Sequence, residues 1–346
     1  MVNHAYTPVV ERREVMKTRA FIAVVVATLF IFAVAGCKDK SASGGKSTTG
    51  KQTRLTIATA GTTGVFYAYG GALASVISKY VPGTTVTAQA TGGSVEDFKL
   101  LGNKEADLIT TSADAAYDAY YNFKNSKYFK DKIDARGLFF MYGEPLHIVV
   151  RAESKIKEVA DLKGKRVVVG SPGSGTELKS RVVLKALGLD YKDFTPEFLS
   201  FAEGTDALKD QTVDAALLGV LYPAPAVVEL SQHNAIRLIA LSDSEVDKVR
   251  KASPIFVKAV IPGHMYKGVD KDTQTVAVPC LVACRPDMSD ELAYNIVKTV
   301  FEHKDELNMM HSAFKESTLA NATISVIPLH PGAIKYYKEK GVYKEP

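Results

Sequence analysis

Cysteine is scarce in this chain, with three among 346 residues. Cys37 ends an N-terminal apolar run, which leaves Cys280 and Cys284 in an apparent strand over residues 275–285. Two cysteines four residues apart on one strand face stand about 13 Å from each other, too far for a disulfide between them. No histidine lies close to them in sequence, so two buried thiols are expected rather than a metal pair, and the fold rests on packing without staples. The apolar run itself, 20–35, is sixteen residues broken only by Thr28, short of the roughly 20 needed to span a bilayer. Charge of one sign is also missing. The net charge is +5, the basic residues are scattered among acids, and no basic stripe or aromatic ladder suggests nucleic acid. Ser-His-Asp, metal-ligand and phosphate-loop spacings are not found, so neither an enzyme, a metal nor a cofactor is expected.

The N-terminus reads as an address. Met16-Lys17-Thr18-Arg19 is a basic start, the run 20–35 an apolar middle and Val34-Ala35-Gly36 a small-residue end, the pattern of a secretory signal peptide over residues 1–36. The ending V-A-G-C resembles a bacterial lipobox, in which Cys37 carries the lipid and becomes the first mature residue. A plain membrane anchor is the alternative. Met16 is a better start than Met1. Residues 37–53 have no apolar periodicity and are rich in Ser, Thr, Gly and Lys, as in a flexible tether.

The body from residue 54 onward is α/β in pattern. Its clearest unit is 165–177, KRVVVGSPGSGTE. Val167-Val168-Val169 fits a buried strand, the run from Gly170 to Gly175 a tight loop, and 176–187 a helix. Strand, glycine loop and helix start together expose backbone N–H groups at the positive end of a helix dipole, which suits an anion. The spacing Gly170-x4-Gly175 imitates a nucleotide loop, but Thr176-Glu177 stands where its Lys-Ser/Thr belongs, with a carboxylate in place of any phosphate-binding cation. Pro172 and Thr176 likewise rule out a nucleophile elbow at Ser174. A small carboxylate fits better; a plain strand–helix turn is the bland alternative. Similar loops follow strands at 61–67, 91–94 and 111–112, and such loops gather at the carboxyl ends of an open sheet.

Two extended runs, 144–151 and 277–286, each begin near a proline and reach an arginine. They read as a pair of crossovers between lobe 1, residues 54–148 plus 279–346, and lobe 2, residues 149–278. Such a pair lets a cleft close by bending. The loop Gly219–Pro223 after the strand 214–219 is expected to form a second wall.

Five stretches, TAGTTGVFYAYGG (59–71), TGGSVEDFKLL (91–101), YGEPLHIVVR (142–151), ADLKGKRVVVGSPGSGT (160–176) and GVLYPAPAVVEL (219–230), resemble in order and spacing the TAXI-type solute-binding proteins. These are the extracytoplasmic receptors of one branch of TRAP transporters. The resemblance covers residues 54–346. It implies a two-lobed, type II-like periplasmic-binding-protein fold and a ligand such as glutamate, glutamine or a related dicarboxylate. It also implies delivery to ion-gradient-driven TRAP membrane subunits fused to one another. The first loop departs from the family's GGTGGTYYP: Ala60, Thr63, Val65, Phe66 and Ala68 differ, while Gly61, Thr62, Gly64 and Tyr67 agree.

The expected site puts a ligand carboxylate on the N–H groups and hydroxyls of Ser174, Gly175 and Thr176, with Gly173 shaping the loop. Thr62, Thr63, Ser94 and the Tyr67 hydroxyl oppose them, and Gly219 and Pro223 close the side. Glu144 is either an acceptor for a ligand amine or an exposed turn carboxylate before Pro145. Arg151 and Arg285 read as hinge braces, with pairing to a ligand carboxylate as the alternative, His147 as a core or edge histidine, and Tyr117, Tyr120 and Tyr121 as a packing stripe. The expected protein is a monomeric, lipid-anchored extracytoplasmic receptor. A sensing lipoprotein of the same fold is the alternative reading.

Overall fold

The computed structural model describes residues 52–345; the signal, the lipobox cysteine Cys37 and the tether as far as residue 51 lie outside the described residues, while Thr53, expected to end the tether, is the first residue of a strand. Among the described residues no helix is long and apolar enough to cross a membrane.

The first third repeats strand, small-residue loop, helix. Strand β1 (Thr53–Ala58) leads through Gly61–Gly64 to α1 (Val65–Tyr80), which stops before Pro82 and a left-handed Gly83 (φ 68°). Strand β2 (Thr84–Gln89) leads to α2 (Ser94–Gly102), and β3 (Leu108–Ser112) runs straight into α3 (Ala113–Tyr120). β1 pairs in parallel with β2 and β3, with Leu55 opposite Val86 and Ile57 opposite Leu108. These strands bury Ile57, Leu108 and Ile109 completely, as central parallel strands require.

Strand β4 (Arg136–Arg151) is sixteen residues long and almost wholly buried. After it come β5 (Arg166–Val168), α4 (Gly175–Ala186), β6 (Thr195–Glu197), α5 (Phe201–Lys209), β7 (Ala215–Gly219), α6 (Pro225–His233), β8 (Ile236–Leu238), α7 (Asp243–Ala252) and β9 (Val257–Ile261). A second long strand, β10 (Thr273–Cys284), returns, and α8 (Asp290–Glu302), α9 (Lys304–Met310) and α10 (Pro331–Glu339) finish the chain.

The sheet order is β2-β1-β3-β10-β4-β7-β5-β6, with β8 on β4 and β9 on β10. The two long strands join its ends. From Arg136 to Pro145, β4 runs antiparallel to β10; from Leu146 it changes partner and runs antiparallel to β7. β10 makes the complementary change, pairing with β9 up to Ala277 and with β3 from Cys280. Both strands are longer than the extended runs 144–151 and 277–286 read from the sequence. β4 starts eight residues earlier because Leu138–Tyr142 is a buried apolar strand in its own right. Cys280 and Cys284 are buried free thiols, as their spacing requires.

Candidate binding site

Loops that follow parallel strands meet on one side of the sheet and enclose a cavity of about 70 Å³ open to the centre of a water molecule. One water needs about 10–15 Å³ by that measure, so the space suits one small solute. From the β1 loop come Ala60, Gly61, Thr63 and Gly64, and from the start of α1 come Val65 and Phe66. Gly92, Gly93 and Ser94 supply the start of α2, and Tyr142 and Glu144 project from β4. The far wall is Ser171, Ser174, Gly175 and Thr176 at α4, Ser200 and Phe201 at α5, and Gly219 and Val220 after β7.

Four helices thus begin at the cavity: α1, α2, α4 and α5. Their positive ends add up to an environment for negative charge. Three are capped from within. The Gly173 carbonyl accepts from Val95 and Glu96 N–H at the head of α2. Ser200 and Glu203 form a reciprocal box at the head of α5. Ser174 Oγ accepts from Glu177 N–H at 3.1 Å at the head of α4. Even so, the N–H groups of Gly175 and Thr176 donate to no acceptor among the described residues.

Glycine sets how closely the walls approach. A Cβ on Gly175 would stand 2.6 Å from Ser112 Oγ and 3.0 Å from Ser94 Oγ. A Cβ on Gly219 would stand 2.7 Å from Lys179 Nζ, 3.1 Å from Thr176 Oγ1 and 3.4 Å from Glu144 Oε2. Lys179 reaches this corner from the second turn of α4, wholly buried, and its ammonium donates to Glu144 Oε2. Burial raises the Glu144 carboxyl above its usual range, against the pull of Lys179. Burial works to lower Lys179, and the Glu144 carboxylate, with Asp114, more than reverses it. Tyr142 is buried with its hydroxyl unpartnered among the described residues, and burial, reinforced by Cys280, Glu144 and Tyr69 nearby, pushes that hydroxyl well up.

The profile described as the NMT1-like family matches residues 57–341. The chain belongs to the NMT1-like family. Solved structures share the α/β fold of this NMT1-like chain. A protein of Bordetella bronchiseptica RB50 superposes with a TM-score of 0.51 at 16% identity, over 83% of this chain and 89% of that one. A Xanthomonas citri protein solved bound to ATP gives 0.50 at 12% identity, over 84% and 97%. The alkanesulfonate-binding protein of Xanthomonas axonopodis pv. citri bound to MOPS gives 0.45 at 16%, over 83% and 90%. At such identities the likeness is one of fold.

In this NMT1-like chain, seven of the residues singled out from sequence line the cavity: Thr63, Ser94, Glu144, Ser174, Gly175, Thr176 and Gly219. Four do not. Thr62 lines a neighbouring cavity of about 280 Å³, which also holds Asp206 and Glu229. Tyr67 lines neither, because α1 starts at Val65 and turns Phe66 inward instead. Gly173 gives its carbonyl to α2, and Pro223 lies beyond the wall made by Gly219 and Val220. Two expected hydroxyl donors are engaged within the protein: Ser174 Oγ donates to Ser171 O at 2.7 Å, and Thr176 Oγ1 to Gly219 O at 3.5 Å. Glu144 is no exposed turn carboxylate; it is 6% exposed and paired. Arg151 and Arg285 brace the scaffold, on the Leu208 and Val213 carbonyls and on Asp107 and Asp287 respectively.

Tyr142, Ser200, Phe201 and Lys179 were not anticipated, whereas Phe66 and Ser171 lie in loops expected at the site without having been singled out as contacts. Ser200-x-x-Glu203 carried a legible capping signal. A lysine inside a helix carries none, since lysines are almost never fully buried unless paired.

Proposed function

We propose that this protein is an extracytoplasmic receptor that captures a small carboxylate and hands it to a membrane transporter. The observation that supports this most is the convergence of four helix N-termini on one small cavity, with the Gly175 and Thr176 N–H groups free. A carboxylate there gains two charge-assisted hydrogen bonds and the field of α4, with no lysine or arginine side chain lining the cavity among the described residues. Glutamate, glutamine and related dicarboxylates, the ligands implied by the TAXI resemblance, belong to this class. Delivery to ion-gradient-driven TRAP subunits and anchoring through a lipid on Cys37 complete the proposal.

The lobes of that receptor are residues 54–148 plus 279–346 and residues 149–278, with the partner changes of β4 at Leu146 and β10 near Ala277 as the bending points. Ligand binds one lobe of an open form, and contacts available only in the closed form shift the population toward closure. Binding and release, rather than bond chemistry, are the work of such a site.

Thermal unfolding against a panel of carboxylates, sugars, sulfonates and nucleotides tests this reading. A ligand at 100 times its Kd stabilises the native state by about 2.7 kcal/mol, a plain rise in Tm. A rise with a small carboxylate supports the reading; a rise with only another class overturns the carboxylate, and mass spectrometry of the denatured protein detects a ligand carried through purification.

A further inference from the structure

Glu144 is the only acidic side chain that lines the cavity. It is the natural acceptor for a ligand's ammonium, and the protein has already filled that role. Lys179 Nζ donates to Glu144 Oε2, and neither side chain makes another hydrogen bond among the described residues. Gly219, which lines the cavity, leaves room for this ammonium directly behind the wall, beside Thr176 Oγ1, since a Cβ there would stand 2.7 Å from Lys179 Nζ; the lysine does not line the cavity. Lys179 itself is 0% exposed, so it has no water to fall back on.

We infer that Lys179 occupies the place a ligand's amino group would take, so that the cavity selects carboxylates that carry no amino group. This rests on the carboxylate reading above and narrows it to oxo, hydroxy or plain organic acids. Two effects act in the same direction. A ligand ammonium has to share one carboxylate with Lys179, and like charges in a water-poor cavity repel far more than they do in water. A ligand carboxylate on the Gly175 and Thr176 N–H groups gains instead from a cation one turn along the same helix. Asp114, on α3, is a further acid whose charge bears on both Lys179 and Glu144. It does not line the cavity, and the rest of the lining is hydroxyl, backbone and ring, with no second carboxylate for an ammonium to use.

Isothermal titration with matched pairs tests this: pyruvate against alanine, and 2-oxoglutarate against glutamate. In the wild type the oxo acid of at least one pair is expected to bind at least about tenfold more tightly than its amino acid, equivalent to about 1.4 kcal/mol. Lys179→Met frees Glu144, and the preference should fall or reverse. A lone buried carboxylate threatens folding, so the double variant Glu144→Gln, Lys179→Met is measured beside it; there neither charge remains, and the ratio should approach one. Tighter binding of the amino acid by the wild type overturns the inference while leaving the carboxylate reading intact, and so does a preference unchanged in the double variant. No binding by any carboxylate overturns both.

Discussion

The carbonyl oxygen of Gly173 caps the helix on the other side of the cavity, accepting from Val95 N–H at 3.1 Å and also from Glu96 N–H at 3.2 Å. The loop after β5 thereby does for α2 what a capping side chain does elsewhere. Gly92 makes room for it, since a Cβ there would stand 3.0 Å from the Pro172 carbonyl oxygen. Gly173 can turn back in this way because it holds φ at 77°, a conformation that glycine adopts readily. Two glycine loops from opposite ends of the sheet thus meet edge to edge above the cavity.

Gly175→Ala tests that close approach. Its Cβ collides with Ser112 Oγ and Ser94 Oγ, both on short buried side chains, and overpacking of this kind costs about 1–3 kcal/mol. If the contact forms only on closure, affinity for the ligand should fall by about ten- to a hundredfold, while the Tm without ligand changes little. Titration and melting of the same preparation separate the two effects.

Glu177 carries a contact of the same kind outside the cavity. The Tyr128 hydroxyl and Lys127 Nζ reach it from the segment between α3 and β4, and Arg181 from its own helix. Burial works to raise the Glu177 carboxyl, but the Tyr128 and Arg181 hydrogen bonds outweigh it and hold the group below its ordinary 4.5. The folded form therefore holds this proton less tightly than the unfolded chain does and stays ionised to lower pH. Its stabilisation is complete above pH 4.5 and is lost as pH falls through the depressed value. Melting curves of wild type and Glu177→Gln should differ at neutral pH and converge in acid.

His147 makes a second, separate window. Ala224 N–H donates to the Tyr266 hydroxyl at 3.0 Å, and that hydroxyl lies 2.8 Å from His147 Nε2. Pro145 O is 3.3 Å from Nδ1. These partners fit a neutral ring with its proton on Nδ1. Burial brings the ring down to about 4 from 6.5, against the pull of the Pro145 carbonyl. The unfolded chain takes up this proton first, so stability falls as pH drops from 6.5 to about 4, by up to about 1.4 kcal/mol per unit. Burial pushes His311 and His330 the same way, so the difference between wild type and His147→Gln isolates the effect. The slope should be shallower in the variant.

The Glu144–Lys179 pair has a stability signature as well as a binding one. Removing one partner of a buried pair costs about 3–5 kcal/mol, whereas replacing both with neutral groups is often close to neutral. Urea unfolding should show Lys179→Met strongly destabilised and the double variant with Glu144→Gln restored to near wild type. Equal losses in the two would mean that packing, rather than charge, is what Lys179 contributes.

Much of the frame was legible in the sequence because local chemistry determines it. The valines before Gly170, the glycine-serine loop and the helix after it appear within a residue of their expected places, and α4 runs Gly175–Ala186 where 176–187 was expected. Facing was less legible. The helical period puts Phe66, Leu73, Ala74 and Ile77 on one inner face of α1, and all four are buried, but it does not place the adjacent Tyr67, which lines neither cavity. Pairings distant in sequence were not legible at all. Glu144 and Lys179 lie 35 residues apart on a strand and a helix, and only the packed sheet brings them together. The same is true of Tyr128 and Glu177, 49 residues apart.

The central claim is that a carboxylate sits on the free N–H groups at the head of α4. Amide NMR of the 15N-labelled protein, titrated with small organic acids, addresses it directly. The expected result is a saturable shift largest at Gly175 and Thr176, with Ser94 and Gly219 following. Saturable shifts centred elsewhere, such as on the groove beside Lys99 and Arg285, with Gly175 and Thr176 unmoved, would contradict it.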